Sequence, residues 1–204
     1  MSDGIDADKR ETLRRFAAAG AAPFVGFAGQ TGDDDSTSRA AIRGYLVRTP
    51  GAHFSKLRDD LGLGTGEAQH HLRRLERRGV VESDRDGDYR RFFPAGRFSA
   101  FERTALGWLR RETPGRMLLA LLDDPDATAS DLADEMGLAR STISGHAADM
   151  EAAGLLTRED GYAIERPEAV LVLAVRYAES LGPAAVALAD DAADLIALGG
   201  ADPG

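Results

Sequence analysis

The sequence contains two similar segments of 32 residues, offset by 75 positions and aligned without a gap. Residues 50–81 read PGAHFSKLRDDLGLGTGEAQHHLRRLERRGVV, and residues 125–156 read PDATASDLADEMGLARSTISGHAADMEAAGLL. Both begin with proline, keep a Gly-Leu pair in the middle, and place a glycine before the last two apolar residues. Internal repetition of this kind is typical of one structural unit built twice. The chain is therefore predicted to contain two copies of one domain.

The first copy has the pattern of two short helices followed by a hairpin. The spacing of apolar residues predicts helices over Phe54–Leu61 and about Thr65–Arg78. Gly62-Leu63-Gly64 is predicted to form the turn between them, because glycine tolerates the left-handed backbone that such a turn requires. Strands are predicted over Val80–Ser83 and Tyr89–Phe93, with an Asp-Gly turn signal between them.

The second copy predicts the same order of elements. Its helices are expected over Asp131–Met136 and Ser141–Ala153, and its strands over Leu155–Arg158 and Tyr162–Glu165, with a shorter hairpin. A helix, a tight turn, a second helix and a hairpin make up a winged helix-turn-helix domain. The predicted fold class is mainly α with small β-hairpin wings: two tandem winged helix-turn-helix domains plus C-terminal helices.

The remaining sequence predicts how these domains are connected. Ser38 or Thr37 is expected to cap a helix over Arg39–Thr49, after a polar linker at Gly32–Ser38. Thr113 is expected to cap the helix that opens the second domain. The predicted organisation is a flexible or loosely docked arm over residues 1–37, a first winged helix over 38–96, a connector helix over 97–112, a second winged helix over 113–167, and C-terminal helices over 168–204. The wide apolar faces of the C-terminal helices favour packing on the second domain, a dimer interface, or both.

Charge is distributed unevenly along the chain. The net charge is −9, yet residues 39–98 contain 13 basic and 8 acidic side chains, a net charge of +5. Residues 99–167 contain 7 basic and 13 acidic side chains, a net charge of −6. The basic charge therefore belongs to the first repeat. Arginine outnumbers lysine 23 to 2, which resembles the acidic, lysine-poor proteins of halophilic archaea, although an acidic mesophilic protein from GC-rich DNA would have a similar composition.

The second helix of the first repeat is predicted to present a basic face. Ala68, Leu72 and Leu75 form its core stripe, and polar residues occupy the opposite side. Arginine and glutamine can each form two hydrogen bonds to a base edge in the major groove, and the hairpin arginines are placed to meet phosphate or the minor groove. The predicted DNA-binding residues are Thr65, Gly66, Gln69, His70, Arg73, Arg74, Arg77, Arg85, Arg90 and Arg91. An arginine-rich helical face that is merely solvated is the alternative.

The matching helix of the second repeat keeps the core stripe and loses the charge. Ile143, Ala147 and Met150 replace the three apolar residues, whereas Arg73 becomes Ala148 and Arg77 becomes Ala152. Each lost phosphate contact removes a favourable counterion-release contribution. The second repeat is expected either to have an architectural or dimerising role or to contact DNA weakly. Its candidate DNA contacts are Arg140, Ser141, Thr142, Ser144 and His146.

Several other function classes lack support in the sequence. The chain has no cysteine, which excludes disulfides and thiolate metal sites. No apolar run approaches the roughly 20 residues of a membrane-spanning helix. No metal site and no cofactor are expected, because the four histidines show no ligand spacing. An enzyme is not expected, because no catalytic carboxylate pair, nucleophile with its base, or phosphate-binding loop is present.

Two segments resemble a known family. Residues 62–94, GLGTGEAQHHLRRLERRGVVESDRDGDYRRFFP, resemble the helix-turn-helix and wing of archaeal winged-helix transcriptional regulators of the MarR/ArsR type. Residues 137–167, GLARSTISGHAADMEAAGLLTREDGYAIERP, resemble the same family with an altered recognition face. The resemblance covers roughly residues 38–167 and implies tandem DNA-binding domains of the type common in halophilic archaea.

The sequence favours a cytoplasmic, sequence-specific regulator of transcription that binds double-stranded DNA as a homodimer, with repression by occlusion as the simplest mode. A dimer would place two basic helices on half-sites about one helical turn apart. The alternative is a tandem winged-helix subunit that binds other proteins in a chromosome-organising or transcription complex, which the acidic second half supports. Neither an operator nor an effector follows from the residues.

Overall fold

The computed structural model describes residues 33–199, and these residues fall into two compact units divided between Phe98 and Ser99. The elements of the first unit are α1 (Asp33–Arg48), β1 (Ala52–His53), α2 (Phe54–Asp60), α3 (Thr65–Arg77), β2 (Val81–Asp86) and β3 (Tyr89–Pro94). Those of the second unit are α4 (Ala100–Leu109), α5 (Glu112–Asp123), α6 (Ala129–Met136), α7 (Arg140–Ala152), β4 (Leu156–Thr157), β5 (Ala163–Ile164), α8 (Pro167–Arg176), α9 (Ala178–Leu181) and α10 (Pro183–Gly199). Among residues 33–199, no helix is long and apolar enough to cross a membrane.

The first unit is a winged helix-turn-helix with one strand that the sequence pattern did not predict. Helices α2 and α3 meet at Gly62, whose φ of 61° confirms the predicted left-handed turn. The three strands form an antiparallel sheet in the order β1-β3-β2. In the pairing of β1 with β3, Ala52 lies opposite Phe92 and His53 lies opposite Arg91. The core residues are Ile42, Tyr45, Leu46, Leu57, Leu61, Leu72, Leu75, Val81 and Phe92. Their burial fixes α3 against the other helices and leaves its opposite side in solvent.

Helix α1 includes a segment that was predicted to be a linker. Residues 33–38 are helical, and Ser38 is a buried helical residue rather than the predicted N-cap. The Ser38 hydroxyl donates a hydrogen bond to Glu67 Oε1 of α3 at 3.0 Å. This tertiary contact, which helix propensity does not anticipate, joins α1 to the first turn of α3. Residues 1–32 of the predicted N-terminal arm lie outside the described residues.

The hairpin of the first unit, β2 and β3, is longer than predicted. Val81 pairs with Pro94 at one end of the hairpin and Asp86 pairs with Tyr89 at the other, so only Gly87 and Asp88 form the turn. Gly87 has a φ of 60°, as a two-residue turn with a left-handed first position requires. Residues 84–86, which were predicted to be loop, are therefore part of strand β2.

The second unit repeats the helix-turn-helix arrangement with a much smaller wing. Thr128 caps α6, and Gly137 ends that helix with a φ of 67°. Strands β4 and β5 have two residues each, fewer than the predicted strands. Helix α5 begins at Glu112 with Arg111 as its N-cap residue, so the prediction that Thr113 caps this helix was wrong.

Helices α8 and α9 pack against the helices that precede them in the second unit, as one of the two sequence interpretations expected. Arg110, which follows α4, donates from Nη1 to the Ser180 carbonyl and from Nη2 to the Ser180 hydroxyl, each at 3.0 Å. The guanidinium of Arg166 lies 4.9 Å from the centre of the Phe101 ring. These contacts join α4 to the start of α8 and to α9, and Val170, Leu173, Ala174 and Ala178 of these two helices are buried. A role in dimerisation stays a prediction.

Adding a single methyl group at the α4–α5 junction is expected to destabilise the second unit. A Cβ atom added to buried Gly115 would lie 2.5 Å from the Leu109 carbonyl oxygen, which is backbone and cannot rotate away. We expect Gly115→Ala to lower the free energy of unfolding by about 1–3 kcal/mol, because overpacking forces the backbone to shift. Denaturant unfolding measures the effect, with Gly145→Ala as the control, since a Cβ there meets nothing within 4 Å. Equal stability of Gly115→Ala and the wild type would contradict the close packing of this junction.

Candidate nucleic-acid interface

Helix α3 is held in place by its apolar side and by its first turn. Ala68, His71, Leu72 and Leu75 are buried, which confirms the predicted core stripe and adds His71 to it. The Gly64 N–H donates to Glu67 Oε2 at 3.3 Å, while Glu67 Oε1 accepts the bond from Ser38. The start of α3 is therefore tied both to its own preceding turn and to α1.

The opposite side of α3 is a continuous polar surface. Its exposed residues are Thr65, Gly66, Gln69, His70, Arg73 and Arg77, and Arg74 is half-buried beside them. A Cβ at Gly66 would meet no atom within 4 Å, so packing inside the chain does not require glycine at this position. The side chains predicted for base contact thus lie on one exposed face, which we call the α3 face: Gln69, His70, Arg73 and Arg77.

The three predicted wing arginines have different environments. Arg85 is exposed near the tip of the hairpin. Arg90 is also exposed, but its Nε donates to Ser83 Oγ at 2.8 Å and its Nη2 donates to Glu76 Oε1 at 2.7 Å. Arg91 is 4% exposed and forms an ion pair with Asp86, and its Nη1 donates to the Gly51 carbonyl at 3.0 Å. The guanidinium of Arg91 is therefore used inside the unit, and its predicted contact with DNA stays a prediction.

An aromatic side chain beside these arginines was missed by the sequence interpretation. Tyr89 is 55% exposed near the tip of the wing. Its ring centre lies 5.1 Å from that of His53 and 5.9 Å from the guanidinium of Arg91. Burial and the positive charge of Arg91 lower the pKa of His53. The neutral imidazole can accept the Lys56 N–H at Nδ1, a bond of 3.3 Å that caps α2. The signal in the sequence was an aromatic residue directly after the predicted Asp-Gly turn.

Helix α7 of the second unit presents a different surface. Arg140, Ser141, Thr142 and Ser144 are exposed, and His146 is half-buried. The Arg140 guanidinium donates to Ser130 Oγ, and the Ser144 hydroxyl lies 3.4 Å from the Tyr162 hydroxyl. The positions that match Arg73 and Arg77 are Ala148, which is half-buried, and Ala152, which is exposed. The residues of α7 that match the α3 face, which we call the α7 face, are Ser144, Gly145, Ala148 and Ala152. The one arginine of α7, Arg140, lies at the start of the helix.

The described residues include few features that could bind a metal ion or a small ligand. Among them, no group of three His, Asp or Glu side chains could hold a metal ion. An open cleft of about 220 Å³ lies in the second unit, lined by Arg116, Leu119, Asp123, Glu135, Leu188 and Asp191 among others. Its volume is below the roughly 300–1,000 Å³ of typical ligand pockets, so it identifies no effector.

Comparison with protein families agrees with the two-domain architecture. Residues 36–106 match a family model described as an N-terminal HTH domain, and residues 112–163 match the MarR family. The chain therefore contains two helix-turn-helix domains in tandem, of the type found in DNA-binding regulators of transcription. Both matches are of DNA-binding type, which fits the exposed α3 face and the preserved helix-turn-helix of the second unit. A search of curated proteins and a search of solved structures each returned no match.

Proposed function

We propose that the chain is a sequence-specific repressor that binds DNA mainly through its first winged helix. The observation that supports this proposal is the contrast between two equivalent helices. The α3 face exposes Gln69, His70, Arg73 and Arg77, whereas α7 has serine, glycine and alanine residues at the same positions. Arginine and glutamine discriminate bases through paired hydrogen bonds, which serine and alanine cannot match. In the proposed complex, α3 enters the major groove and the wing contacts the adjacent backbone.

The proposed regulator acts in the cytoplasm as a homodimer. Val172, Val175 and Val186 are exposed on α8 and α10, and they support an apolar contact between two copies of the chain. A two-fold dimer would bring two copies of α3 to half-sites about one helical turn apart, and it would repress by occluding the promoter. The composition supports a halophilic archaeal source, because acidic residues exceed basic ones and only two lysines are present.

Selection from fragmented genomic DNA tests the sequence-specific function. The 204-residue chain is incubated with the fragments at several KCl concentrations, because phosphate contacts weaken as salt increases. We expect enrichment of fragments that share an inverted repeat. Enrichment of no common sequence at any salt concentration would reject the proposal that this chain is a specific regulator.

The second unit provides a gain-of-function prediction. Ala148→Arg and Ala152→Arg restore the arginines that the first unit has at Arg73 and Arg77. If α7 lies near DNA, each added phosphate contact should steepen the slope of log affinity against log salt by about 0.9. Fluorescence anisotropy at four salt concentrations measures this slope, with Glu179→Gln as the control, because it changes the net charge by the same amount at an exposed site outside the helix-turn-helix. An unchanged slope in both variants would indicate that the α7 face lies away from DNA.

The small, weakly charged α7 face also favours a second candidate function. A tandem winged-helix subunit could bind another protein through α7, since small side chains let a partner approach closely. This candidate predicts that the chain binds no DNA sequence selectively, so the genomic selection experiment distinguishes it from the regulator.

A further inference from the structure

Three polar side chains connect the recognition helix to the wing. Glu76 Oε1, near the end of α3, accepts hydrogen bonds from Ser83 Oγ of β2 and from Arg90 Nη2 of β3, each at 2.7 Å. Arg90 Nε also donates to Ser83 Oγ at 2.8 Å, which closes the triangle. The Glu76 side chain is 18% exposed and that of Arg90 is 56% exposed. The carboxylate is therefore largely shielded from solvent, while the guanidinium reaches the surface.

The second unit has a related connection at the equivalent position. Glu151 corresponds to Glu76, and Arg158, next to the short strand β4, corresponds to Ser83. Arg158 Nε and Nη2 donate to Glu151 Oε2 at 2.7 and 2.6 Å. Both units therefore have a glutamate at this position, although α7 lacks the outward arginines of α3. In each unit the glutamate bonds to a residue in or next to a wing strand.

We propose that Glu76 is a positioning residue for DNA binding, which sets the wing relative to α3 through Arg90 and Ser83. This inference rests on the proposed DNA-binding function. A domain that places a helix in the major groove and a wing on the backbone must hold both at one spacing to engage the duplex. The hydrogen bonds are charge-assisted, which makes them stronger and more directional than neutral ones. In this proposal, Arg90 holds the wing against α3 by binding Glu76, whereas the exposed Arg85 contacts the phosphates.

The sign of a charge change separates positioning from simple electrostatics. Glu76 is an anion beside a surface that is proposed to bind a polyanion. If it acted only through charge, Glu76→Gln would strengthen DNA binding, because repulsion falls and the Arg90 charge becomes available. If Glu76 positions the wing, the same substitution weakens binding despite the more favourable charge. The two explanations therefore predict changes of opposite direction.

Asp88→Asn provides the matched control. Asp88 is exposed in the wing turn, and its substitution changes the net charge by the same amount. We expect about a twofold to threefold increase in affinity for Asp88→Asn, and about a tenfold decrease for Glu76→Gln, measured by anisotropy on the selected DNA. Arg90→Gln should weaken binding as well, and adding Glu76→Gln to it should cost little more, because both remove the same link. An increase for Glu76→Gln, or additive losses in the double variant, would overturn the proposal.

Amide hydrogen exchange without DNA tests the positioning itself. Exchange of residues 82–91 should accelerate at least severalfold in Glu76→Gln and stay unchanged in Asp88→Asn, while the amides of α1 and α2 keep their protection in both. Unchanged exchange in the wing of Glu76→Gln would overturn the proposal whether or not the protein binds DNA. Failure of the wild type to select DNA, with accelerated wing exchange in the variant, would reject the proposed function and retain the structural link.

Discussion

The double substitution Arg73→Ala/Arg77→Ala is expected to remove nearly all specific DNA binding. Both arginines are exposed on the α3 face, one helical turn apart. A bidentate arginine–guanine contact contributes about 1–3 kcal/mol of discrimination, so two of them correspond to roughly a 30-fold to 10⁴-fold loss of affinity. If either arginine binds phosphate instead, the loss includes a decrease of about 0.9 in the salt slope. Anisotropy titrations on selected and scrambled DNA at several salt concentrations measure both quantities.

A variant with the same change of net charge is the appropriate control. Arg48 and Arg97 are exposed in the same unit but lie outside α3 and the wing. Arg48→Ala/Arg97→Ala should weaken binding to selected and scrambled DNA by a similar, small factor, because only long-range attraction is reduced. Equal losses in the two double variants would show that net charge, rather than the α3 face, determines binding.

Helix α3 could be predicted because its apolar residues follow helical spacing. Ala68, Leu72 and Leu75 recur at helical spacing, and burial of this stripe fixes which residues face outward. The gapless repeat predicted two copies of one domain, and a glycine follows the same helix at the same place in each copy. Fold class and the orientation of α3 therefore followed from local pattern alone.

The wing could not be predicted in the same way. Arg90 and Arg91 are neighbours in β3, so their side chains point to opposite faces of the sheet. Nothing in the local sequence indicates which of the two faces inward. That depends on β1, a two-residue strand that pairs with β3 and places the Gly51 carbonyl beside Arg91. Tertiary packing thus decided the roles of two residues that look equivalent in the sequence.

The start of α1 illustrates the same limit for helix boundaries. Asp, Ser and Thr favour turns and caps because their side chains compete for backbone hydrogen bonds, so residues 33–38 were predicted to be a linker. In the structure, Ser38 is buried in the helix and bonds to Glu67, a residue 29 positions later. A contact over that sequence distance has no local signature.

Substituting Arg91 with glutamine is expected to destabilise the first unit rather than to remove a DNA contact. Arg91 is buried, with its charge paired to Asp86 and a further hydrogen bond to the Gly51 carbonyl. Removing one partner of a largely buried ion pair costs about 3 kcal/mol. For a unit of this size, such a loss corresponds to a decrease in melting temperature on the order of 10–20 °C. Thermal unfolding followed by circular dichroism, together with amide exchange in α1, measures this decrease.

Two further variants separate a structural role of Arg91 from a role in binding. Arg85→Gln removes the same charge from an exposed position on the wing, so it should leave the melting temperature nearly unchanged and reduce the salt slope of DNA binding. Adding Asp86→Asn to Arg91→Gln should cost little beyond the single variant, because both substitutions remove the same ion pair. If Arg91→Gln instead kept full stability and lowered the salt slope by about 0.9, Arg91 would be a phosphate contact, as its position in the sequence first suggested. Loss of stability is the expected result, because the substitution removes both the ion pair with Asp86 and the hydrogen bond to the Gly51 carbonyl.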